Sequence, residues 1–480
     1  MDSFYHQLCH DLALELRIAS PIDQNANLLQ LGLDSMRLMK WLHHFRRQGY
    51  KVTLKELYHT PTLAGWKTLM HQKLSEQPLS AQRQLSDQKQ LSDQKQSSDQ
   101  KQSSDQQQPH HQQVHPDRQP TTATNNWPTM RSGQAFELTP VQHAYLVGRS
   151  PQQTLGGVGC HLYQEFDGSG LTPDRLEQAL RTLIDYHPML RVHFRSDGYQ
   201  QYQSATQWQG VTTHDLSAHT PEQSEQFLQH LRETLGHRVL QVERGETFDV
   251  QLSLLPEGRH RLHVNIDLLI MDAASFSLFF SQLHQLLSGQ PLPPADTSYD
   301  FCSYLSQQRQ ENAPLVAQSK QYWLERLADF PPAPVLPLAT DPDSLTQVRI
   351  SRRRMTITAE RWKQLVTLSG HHSVTPTMVL ATCFSAVLAR WGGLSRLLLN
   401  LTLFDRQPLH PAVEAMMADF TSILLLDIHC HGQTIRQLAQ KNQHTFVESY
   451  DHRHWSGIEL LRELKKTQDY PQRCPHCIHQ

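Results

Sequence analysis

Four consecutive copies of a polar six-residue unit divide the chain into two unequal parts. The copies, LSDQKQ, LSDQKQ, SSDQKQ and SSDQQQ, run without interruption from Leu85 to Gln108. Only Leu85 and Leu91 are apolar, so the repeats bury too little apolar surface to offset the entropy of ordering. They also lack the apolar positions that a solenoid needs for stacking. Residues 79–130 are therefore predicted to be a low-complexity linker that lets the flanking domains move apart.

Charge and cysteine content narrow the class of protein. The 480-residue chain has a formal net charge of -2 at pH 7, which argues against a dedicated nucleic-acid binder. No run of 18 apolar residues could span a membrane, and the N-terminus lacks the features of a signal peptide. The seven cysteines are scattered and odd in number, which suits a reducing compartment better than a disulfide framework. We therefore expect a cytoplasmic protein without nucleic-acid partners.

Residues 1–78 carry apolar residues at helical spacing. Two segments show it: Leu8, Leu12 and Leu16, and then Leu38, Leu42 and Phe45. A further helix is predicted to open at Thr60-Pro61, because threonine is a good N-cap and proline suits the first helical position. A region of this size with these apolar anchors can form a small helical bundle.

Residues 131–470 alternate strand-like and helix-like segments. RLHVNIDLLI (261–270) alternates apolar and polar residues like a strand, and SFSLFFSQLHQLL (275–287) is an apolar helix that stops at Gly289. TPTMVLATCFSAVLARWGG (375–393) is predicted to be a buried helix, and LLLNLTLF and FTSILLLDIHC follow it as strands. The order indicates an α/β architecture.

Ser35 begins the second predicted helix, in the stretch LGLDSMRLMK (31–40). Taken alone, a serine or aspartate here is a common helix cap. The GLDS sequence, the helix order and the apolar spacing together resemble the phosphopantetheine attachment site of acyl and peptidyl carrier proteins, which are four-helix bundles. The resemblance implies that Ser35 carries a 4'-phosphopantetheine arm. Met36 and Met39 are candidates for docking partner enzymes, with core packing as the equal alternative.

The carrier resemblance also implies partners. A phosphopantetheinyl transferase would attach the arm. Because no adenylation domain is visible, a stand-alone aryl-adenylating enzyme would load the arm with a group such as salicylate, as is typical of aryl carrier proteins.

The second region contains an ordered series of motifs. They are FELTPVQHAYLVGR (136–149), YHPMLR (186–191), DLLIMDAAS (267–275), PPAPVLPL (331–338), TPTMVLATCFSAVLARWGG (375–393) and ADFTSILLLD (418–427). Together they resemble the heterocyclization domains of nonribosomal peptide synthetases, in the condensation superfamily. The resemblance implies two lobes similar to chloramphenicol acetyltransferase. A carrier followed by a cyclization domain resembles the start of yersiniabactin-type synthetases.

The motif DLLIMDAAS supplies the candidate catalytic residues Asp267, Asp272 and Ser275. The resemblance aligns them as D-x4-D-x2-S, the cyclization-type replacement of the HHxxxDG motif of amide-forming condensation domains. It also implies that Asp272 is architectural and pairs with Arg191 of YHPMLR. An ordinary aspartate is a poor general base at neutral pH, which favours the same role. Two roles stay open for Asp267, which either lines the site or supports the fold. Ser275 is expected at the start of a helix.

The resemblance implies a siderophore-assembly reaction. An aryl thioester on the arm of Ser35 would condense with a cysteine held on a downstream carrier and then cyclize to an aryl-thiazoline. The alternative is an aryl carrier module with an inactive cyclization remnant. An amide-forming condensation enzyme is disfavoured, because both histidines of HHxxxDG are replaced.

The C-terminal residues 471–480 depart from the resemblance. The family continues into segments resembling PVVFTS and SQTPQVWLDH, which carry the residues credited with cyclodehydration, whereas this chain ends in QRCPHCIHQ. We therefore expect a truncated second lobe, doubtful cyclodehydration and a frameshifted or read-through tail. The single CxxC of Cys474 and Cys477 is weak support for zinc, and His110, His111 and His115 are expected to be a chance tract. No metal site is predicted.

Overall fold

The structure is a computed structural model that describes residues 2–16, 18, 21–75, 133–334, 336–351, 353–432 and 434–467. The described residues divide into two compact units. The first takes those of Met1–Trp127 with Gln364–Pro376, and the second takes those of Pro128–Lys363 and Thr377–Gln480. The predicted linker at 79–130 and the predicted tail at 471–480 lie outside the described residues, and the predicted domain limits stay predictions.

The N-terminal helices of the first unit surround an apolar core. Their bounds are α1 Asp2–Leu16, α2 Ser35–Arg47, α3 Leu54–His59 and α4 Leu63–Ser75. The six apolar residues that the helical spacing singles out are buried, namely Leu8, Leu12, Leu16, Leu38, Leu42 and Phe45. Leu63, Trp66 and Met70 of α4 are buried as well. Burial of such side chains stabilises a fold by about 1.5–3 kcal/mol each. The predicted four-helix carrier bundle is confirmed.

The start of α4 differs from the prediction. The backbone N–H of Thr60 donates to the carbonyl oxygen of Glu56, so Thr60 closes α3 instead of capping α4. The last helix begins at Leu63, after Pro61, and the Thr62 hydroxyl accepts the backbone N–H of Gly65 at 3.0 Å. Helix α3 has only six residues, which is too short for an apolar period to reveal it.

A four-stranded sheet in the order β2-β7-β6-β5 lies in the first half of the second unit. Its strands are β2 His161–Ser169, β5 Thr212–Asp215, β6 Phe248–Leu254 and β7 Arg259–Asp267. A smaller sheet contains β1 Ala135–Glu137, β4 Tyr199–Tyr202 and β3 Val192–Phe194. The helices of this half are α5 Pro140–Gly148, α6 Pro173–Tyr186, α7 Pro221–Gly236, α8 Ala273–Leu287 and α9 Phe301–Leu324.

Two carboxylates, those of Asp267 and Asp272, determine where β7 ends and where α8 begins. Strand β7 ends at Asp267, earlier than the predicted Ile270, because Asp267 Oδ1 accepts the backbone N–H of Leu269 at 3.1 Å and the chain turns there. Asp272 then caps α8 by accepting the backbone N–H of Ser275 at 2.7 Å. The predicted order of strand, turn and helix is confirmed, with a longer turn.

The second half of this unit contains a two-stranded sheet and helices. Their bounds are α11 Pro376–Gly392, β8 Arg396–Phe404, β9 Thr421–His429, α12 Ile435–Asp451 and α13 Gly457–Thr467. The helix before them in the chain, α10 Ala359–His371, is divided between the units, because Gln364–Pro376 belong to the first. The prediction that α11 is buried is wrong: Phe384 is 50% and Trp391 is 68% exposed, although Met378 is buried. Within the described residues, no single helix is long and apolar enough to cross a membrane, although α10 and α11 taken together have that length and composition.

Two buried histidines in the second unit have depressed pKa values. His263 lies on β7, where the Tyr163 hydroxyl is 2.8 Å from Nδ1 and Ser253 Oγ is 3.0 Å from Nε2. His187 follows α6, and its Nε2 lies 2.6 Å from Gln282 Oε1. Burial lowers the pKa of each histidine to about 4. Both rings are therefore neutral in the folded protein at neutral pH.

We expect the second unit to lose stability as the pH falls from about 6.5 to about 4. In this window the unfolded histidines bind protons and the folded ones do not, so acid favours unfolding. At about 1.4 kcal/mol per pKa unit, protonation of each histidine in the unfolded chain lowers the free energy of unfolding by roughly 3 kcal/mol across this window. Urea unfolding at several pH values in this range measures how steeply the free energy of unfolding falls with pH. The fall should be less steep in His263→Gln. The exposed His230→Gln on α7 is the matched control, and an unchanged slope in His263→Gln would contradict the expectation.

Candidate functional site

Ser35 is the first residue of α2, a helix of 13 residues. Asp34 caps this helix by accepting the backbone N–H of Arg37 at 2.9 Å. The chain enters through Gly32, whose φ of +101° lies in the left-handed region, and Arg37 Nη1 donates to the Gly32 carbonyl oxygen at 2.8 Å. The unpaired N–H groups and the dipole of a helix N-terminus favour a phosphodiester. The residues present therefore fit a phosphate-linked arm on the first residue of α2.

Asp267 forms a buried ion pair with Arg149. Arg149 Nη1 donates to Asp267 Oδ2 at 2.6 Å, and the two side chains are 7% and 1% exposed. Arg149 directly follows α5, so the pair joins this helix to the end of β7. Burial raises the pKa of Asp267, and the Arg149 charge opposes that rise. These contacts favour a supporting role for Asp267 over direct contact with a substrate.

Asp272 and Ser275 bind Arg406 and the chain just before β9. Arg406 Nη2 donates to Asp272 Oδ1 at 3.1 Å and to Ser275 Oγ at 2.8 Å. The Ser275 hydroxyl donates to the carbonyl oxygen of Ala418 at 2.8 Å and accepts the Ala418 backbone N–H at 3.1 Å. The motif therefore holds the start of α8 against residues more than 130 positions later in the chain.

The predicted pairing of Asp272 with Arg191 is wrong, because Arg406 holds that position. The Arg191 guanidinium instead donates to the backbone carbonyl oxygens of Ile184 and Gln203. It therefore secures the turn after α6 rather than the motif. Asp272 nevertheless has the contacts of a supporting residue, since it caps a helix and pairs with an arginine.

A cavity of about 590 Å³ lies beside this motif, in the second unit. Its wall includes Tyr304, Asp405, Asp419, Thr421 and Arg453. The predicted residues Asp267, Asp272 and Ser275 are not among its lining residues. They lie behind the wall, where Ser275 bonds to Ala418, the residue before Asp419. The motif residues therefore hold the backbone next to the cavity wall and are not part of the wall itself.

Three residues of this region have roles that the motif comparison does not predict. Arg149 and Asp419 belong to quoted motifs, FELTPVQHAYLVGR and ADFTSILLLD, and each is one of two charged residues in its motif, which was the available signal. Arg406 lies outside all of them. The available signal for Arg406 is a cation two residues after an apolar strand, in a chain whose buried Asp272 needs a cation.

Two family patterns match the chain. The pattern described as a phosphopantetheine attachment site covers residues 6–69, which include Ser35. The pattern described as a condensation domain covers residues 137–473. The chain belongs to the condensation-domain family. The carrier region that precedes this condensation domain takes 4'-phosphopantetheine as a covalent cofactor.

Two curated relatives are similar to this chain over both the carrier region and the condensation domain. Phenyloxazoline synthase MbtB of Mycobacterium sp. (strain MCS) is 33% identical over 457 residues, which are 95% of this chain and 35% of the relative. Pyochelin synthetase PchE of Pseudomonas aeruginosa (strain UCBPP-PA14) is 31% identical over 479 residues, 99% of this chain and 30% of the relative. The chain therefore spans about a third of the length of these relatives.

Solved structures agree with the condensation-domain fold. The EpoB NRPS cyclization-docking bidomain from Sorangium cellulosum has 31% sequence identity and a TM-score of 0.63, covering 69% of this chain and 66% of that one. The nonribosomal peptide synthetase FmoA3 has 28% identity and a TM-score of 0.60, covering 71% and 34%. The predicted fold class, a carrier bundle plus a chloramphenicol-acetyltransferase-like condensation domain, is confirmed.

Proposed function

We propose that this chain carries an aryl, salicyl-like thioester on an arm at Ser35 and joins it to cysteine on a downstream carrier during siderophore assembly. The proposed product is an aryl-thiazoline. The main support is the order of a carrier and a condensation domain whose motif is D-x4-D-x2-S, at Asp267, Asp272 and Ser275. The name of the relative phenyloxazoline synthase agrees with a product that joins an aryl group to a five-membered ring. A yersiniabactin-type product stays a prediction.

The proposed chemistry has two steps. The cysteine amine attacks the thioester carbonyl carbon, the C–S bond breaks, and the amine proton leaves with the thiol. The cysteine thiol then adds to the new amide carbonyl, and loss of water closes the ring. Tethering both reactants supplies a high effective concentration in place of tight binding of free substrates.

The described residues support these steps by holding the cavity wall. The contacts of Asp272, Ser275 and Arg406 fix the backbone of Ala418, and the next residues line the cavity. The unpaired N–H groups at the start of α2 favour the phosphate of the arm. Three partners follow from the proposal: a phosphopantetheinyl transferase, a stand-alone aryl-adenylating enzyme and a downstream carrier that holds the amino acid.

A second candidate product is an aryl-oxazoline. The observation that favours it is the name of the 33% identical relative, phenyloxazoline synthase. In this case a serine or threonine hydroxyl takes the place of the cysteine thiol, and the bonds that form and break are otherwise the same. The choice depends on which amino acid the downstream carrier holds.

A transfer assay tests the proposed function. The chain is given its arm by a transferase with coenzyme A, loaded with salicylate by an aryl-adenylating enzyme with ATP, and mixed with a cysteinyl carrier. We expect the acceptor mass to increase by the salicyl group, and a further loss of one water from that product tests ring closure separately. A seryl carrier tests the oxazoline, and an alanyl carrier is the control that can form only the amide. A chain that loads but transfers to no acceptor contradicts the proposal and leaves a carrier module.

A further inference from the structure

His143 is a half-buried histidine on the wall of the cavity of about 590 Å³. It lies on α5, where its backbone N–H donates to the carbonyl oxygen of Thr139 at 3.0 Å. Within the described part of the chain, neither ring nitrogen of His143 has a hydrogen-bond partner, and neither is a buried atom. The imidazole is therefore an accessible basic group that the wall itself does not use.

The position of this histidine is fixed by its neighbours. Gln142, the residue before it, is buried, and its Nε2 donates to the carbonyl oxygen of Leu269 within the motif DLLIMDAAS at 2.7 Å. The turn before β4 approaches the ring closely at Gly198, where a Cβ would lie 2.9 Å from His143 Cε1. The start of α5 and the ring that it carries are therefore held in one place beside the cavity.

Two acidic side chains of the cavity wall are bound to arginines. The Arg309 guanidinium on α9 donates to the Glu137 carboxylate, and Arg453 Nε donates to Asp405 Oδ1 at 3.2 Å. Asp405 Oδ2 also accepts a hydrogen bond from Gln407 Nε2 at 2.8 Å. Both carboxylates are therefore engaged in holding the wall together.

The other ionisable groups of the wall are buried or bonded as well. Asp419 is 0% exposed, and burial raises its pKa to about 8. Glu459 Oε2 accepts the backbone N–H of Ser456 at 3.1 Å, and His454 has contacts of its own. Among the described residues of the wall, His143 is therefore the proton acceptor that is both accessible and unbonded.

His143 carries no charge at neutral pH. Burial lowers its pKa below the ordinary value of 6.5, and the positive charge of Arg462 on α13 lowers it further, whereas Glu137 opposes this shift. The turn before β4 also carries Arg195 and Asp197, which pair with each other. A neutral imidazole has one nitrogen that can accept a proton.

We propose that His143 is a further catalytic residue, whose ring accepts the proton of the cysteine amine while that amine attacks the aryl thioester. This role rests on the proposed function. As the C–N bond forms, the proton passes from the amine to a ring nitrogen of His143. When the C–S bond breaks, the imidazolium returns this proton to the departing thiolate, so the histidine is neutral again after each transfer.

Replacing His143 with glutamine tests the role, because glutamine is polar and neutral but takes up no proton. In a single transfer from the loaded arm to a cysteinyl carrier at pH 7, we expect His143→Gln to be about 100-fold slower, with unchanged loading of Ser35. Below pH 6.5 the two rates should converge, because protonation of His143 slows the unmodified chain alone, whereas protonation of the substrate amine slows both. The exposed His230→Gln on α7 is the matched control and should transfer normally.

Added imidazole separates a proton acceptor from a residue that only supports the wall. His143→Ala removes the ring, and imidazole in the buffer should restore part of the transfer in proportion to its neutral form. The melting temperature checks that each variant is folded.

Three results would overturn the role and leave the proposed function standing. They are a normal rate in His143→Gln at pH 7, a ratio of the two rates that does not change with pH, and a folded, slowed His143→Ala that imidazole does not restore. An unmodified chain that loads but transfers nothing overturns the proposed function and, with it, this role.

Discussion

Replacing Arg406 with methionine is expected to lower the free energy of unfolding of the condensation domain by about 3–5 kcal/mol. Methionine keeps much of the side-chain length beside Phe420, whose ring centroid lies 4.0 Å from the guanidinium carbon. It removes the cation, however, and the carboxylate of Asp272, whose side chain is 0% exposed, is left without one. Urea unfolding measures the loss from the shift in midpoint at constant slope.

Two further variants show that the cost comes from an uncompensated charge. Arg191→Met removes a guanidinium whose hydrogen bonds to the described residues go to backbone carbonyl oxygens, and it should cost less, about 1–2 kcal/mol. The double variant Asp272→Asn with Arg406→Met should recover part of the loss, since asparagine still caps α8 and neither position carries a charge. A loss in Arg406→Met no larger than that in Arg191→Met would contradict the pairing in the structure.

Replacing Ser35 with alanine is expected to abolish loading of the chain by a transferase, and with it all transfer to an acceptor. The hydroxyl is the proposed attachment point, so no residual loading is expected. The fold should remain, because Asp34 supplies the cap of α2 and alanine has the highest helix propensity. Intact mass after incubation with the transferase and coenzyme A checks this result.

A matched control for Ser35→Ala lies in the same helical bundle. Thr68→Ala removes an exposed hydroxyl from α4, which donates to the carbonyl oxygen of Ala64. This variant should load as the unmodified chain does, with a similar circular dichroism spectrum. Loading of Ser35→Ala at the normal level would refute the attachment point, whereas loss of loading in both variants would indicate a damaged bundle.

Local patterns account for what could be predicted of the fold. The presence of β7 follows from apolar alternation, and that of α8 from its apolar residues and a capping aspartate, all of which act within a few residues. The end of β7 was predicted three residues too late, because alternation does not show the turn that Asp267 makes with Leu269. The start of α4 was missed because Thr60 and Thr62 are both plausible caps. The choice between them depends on α3, which is too short to show a period. The exposed face of α11 could not be predicted, because composition alone does not say what covers a helix.

The candidate site was predictable only where its residues lie close together in the chain. Asp267, Asp272 and Ser275 form one motif, and the motif was found as a unit. Arg406 is 134 residues from Asp272 and follows no quoted motif, so the pairing depends on tertiary structure. The raised pKa of Asp419 has the same origin, since it results from burial and from carboxylates that meet only in the fold.

The proposed function depends on the arm at Ser35, because a condensation domain without a loaded carrier has no donor. The most direct test is to digest the unmodified chain after incubation with a phosphopantetheinyl transferase and coenzyme A, and to locate the modified peptide by mass spectrometry. The account predicts the mass of 4'-phosphopantetheine on the peptide that contains LGLDSMRLMK, with fragment ions placing it on Ser35. The same mass on another residue, or on no peptide, would contradict the account.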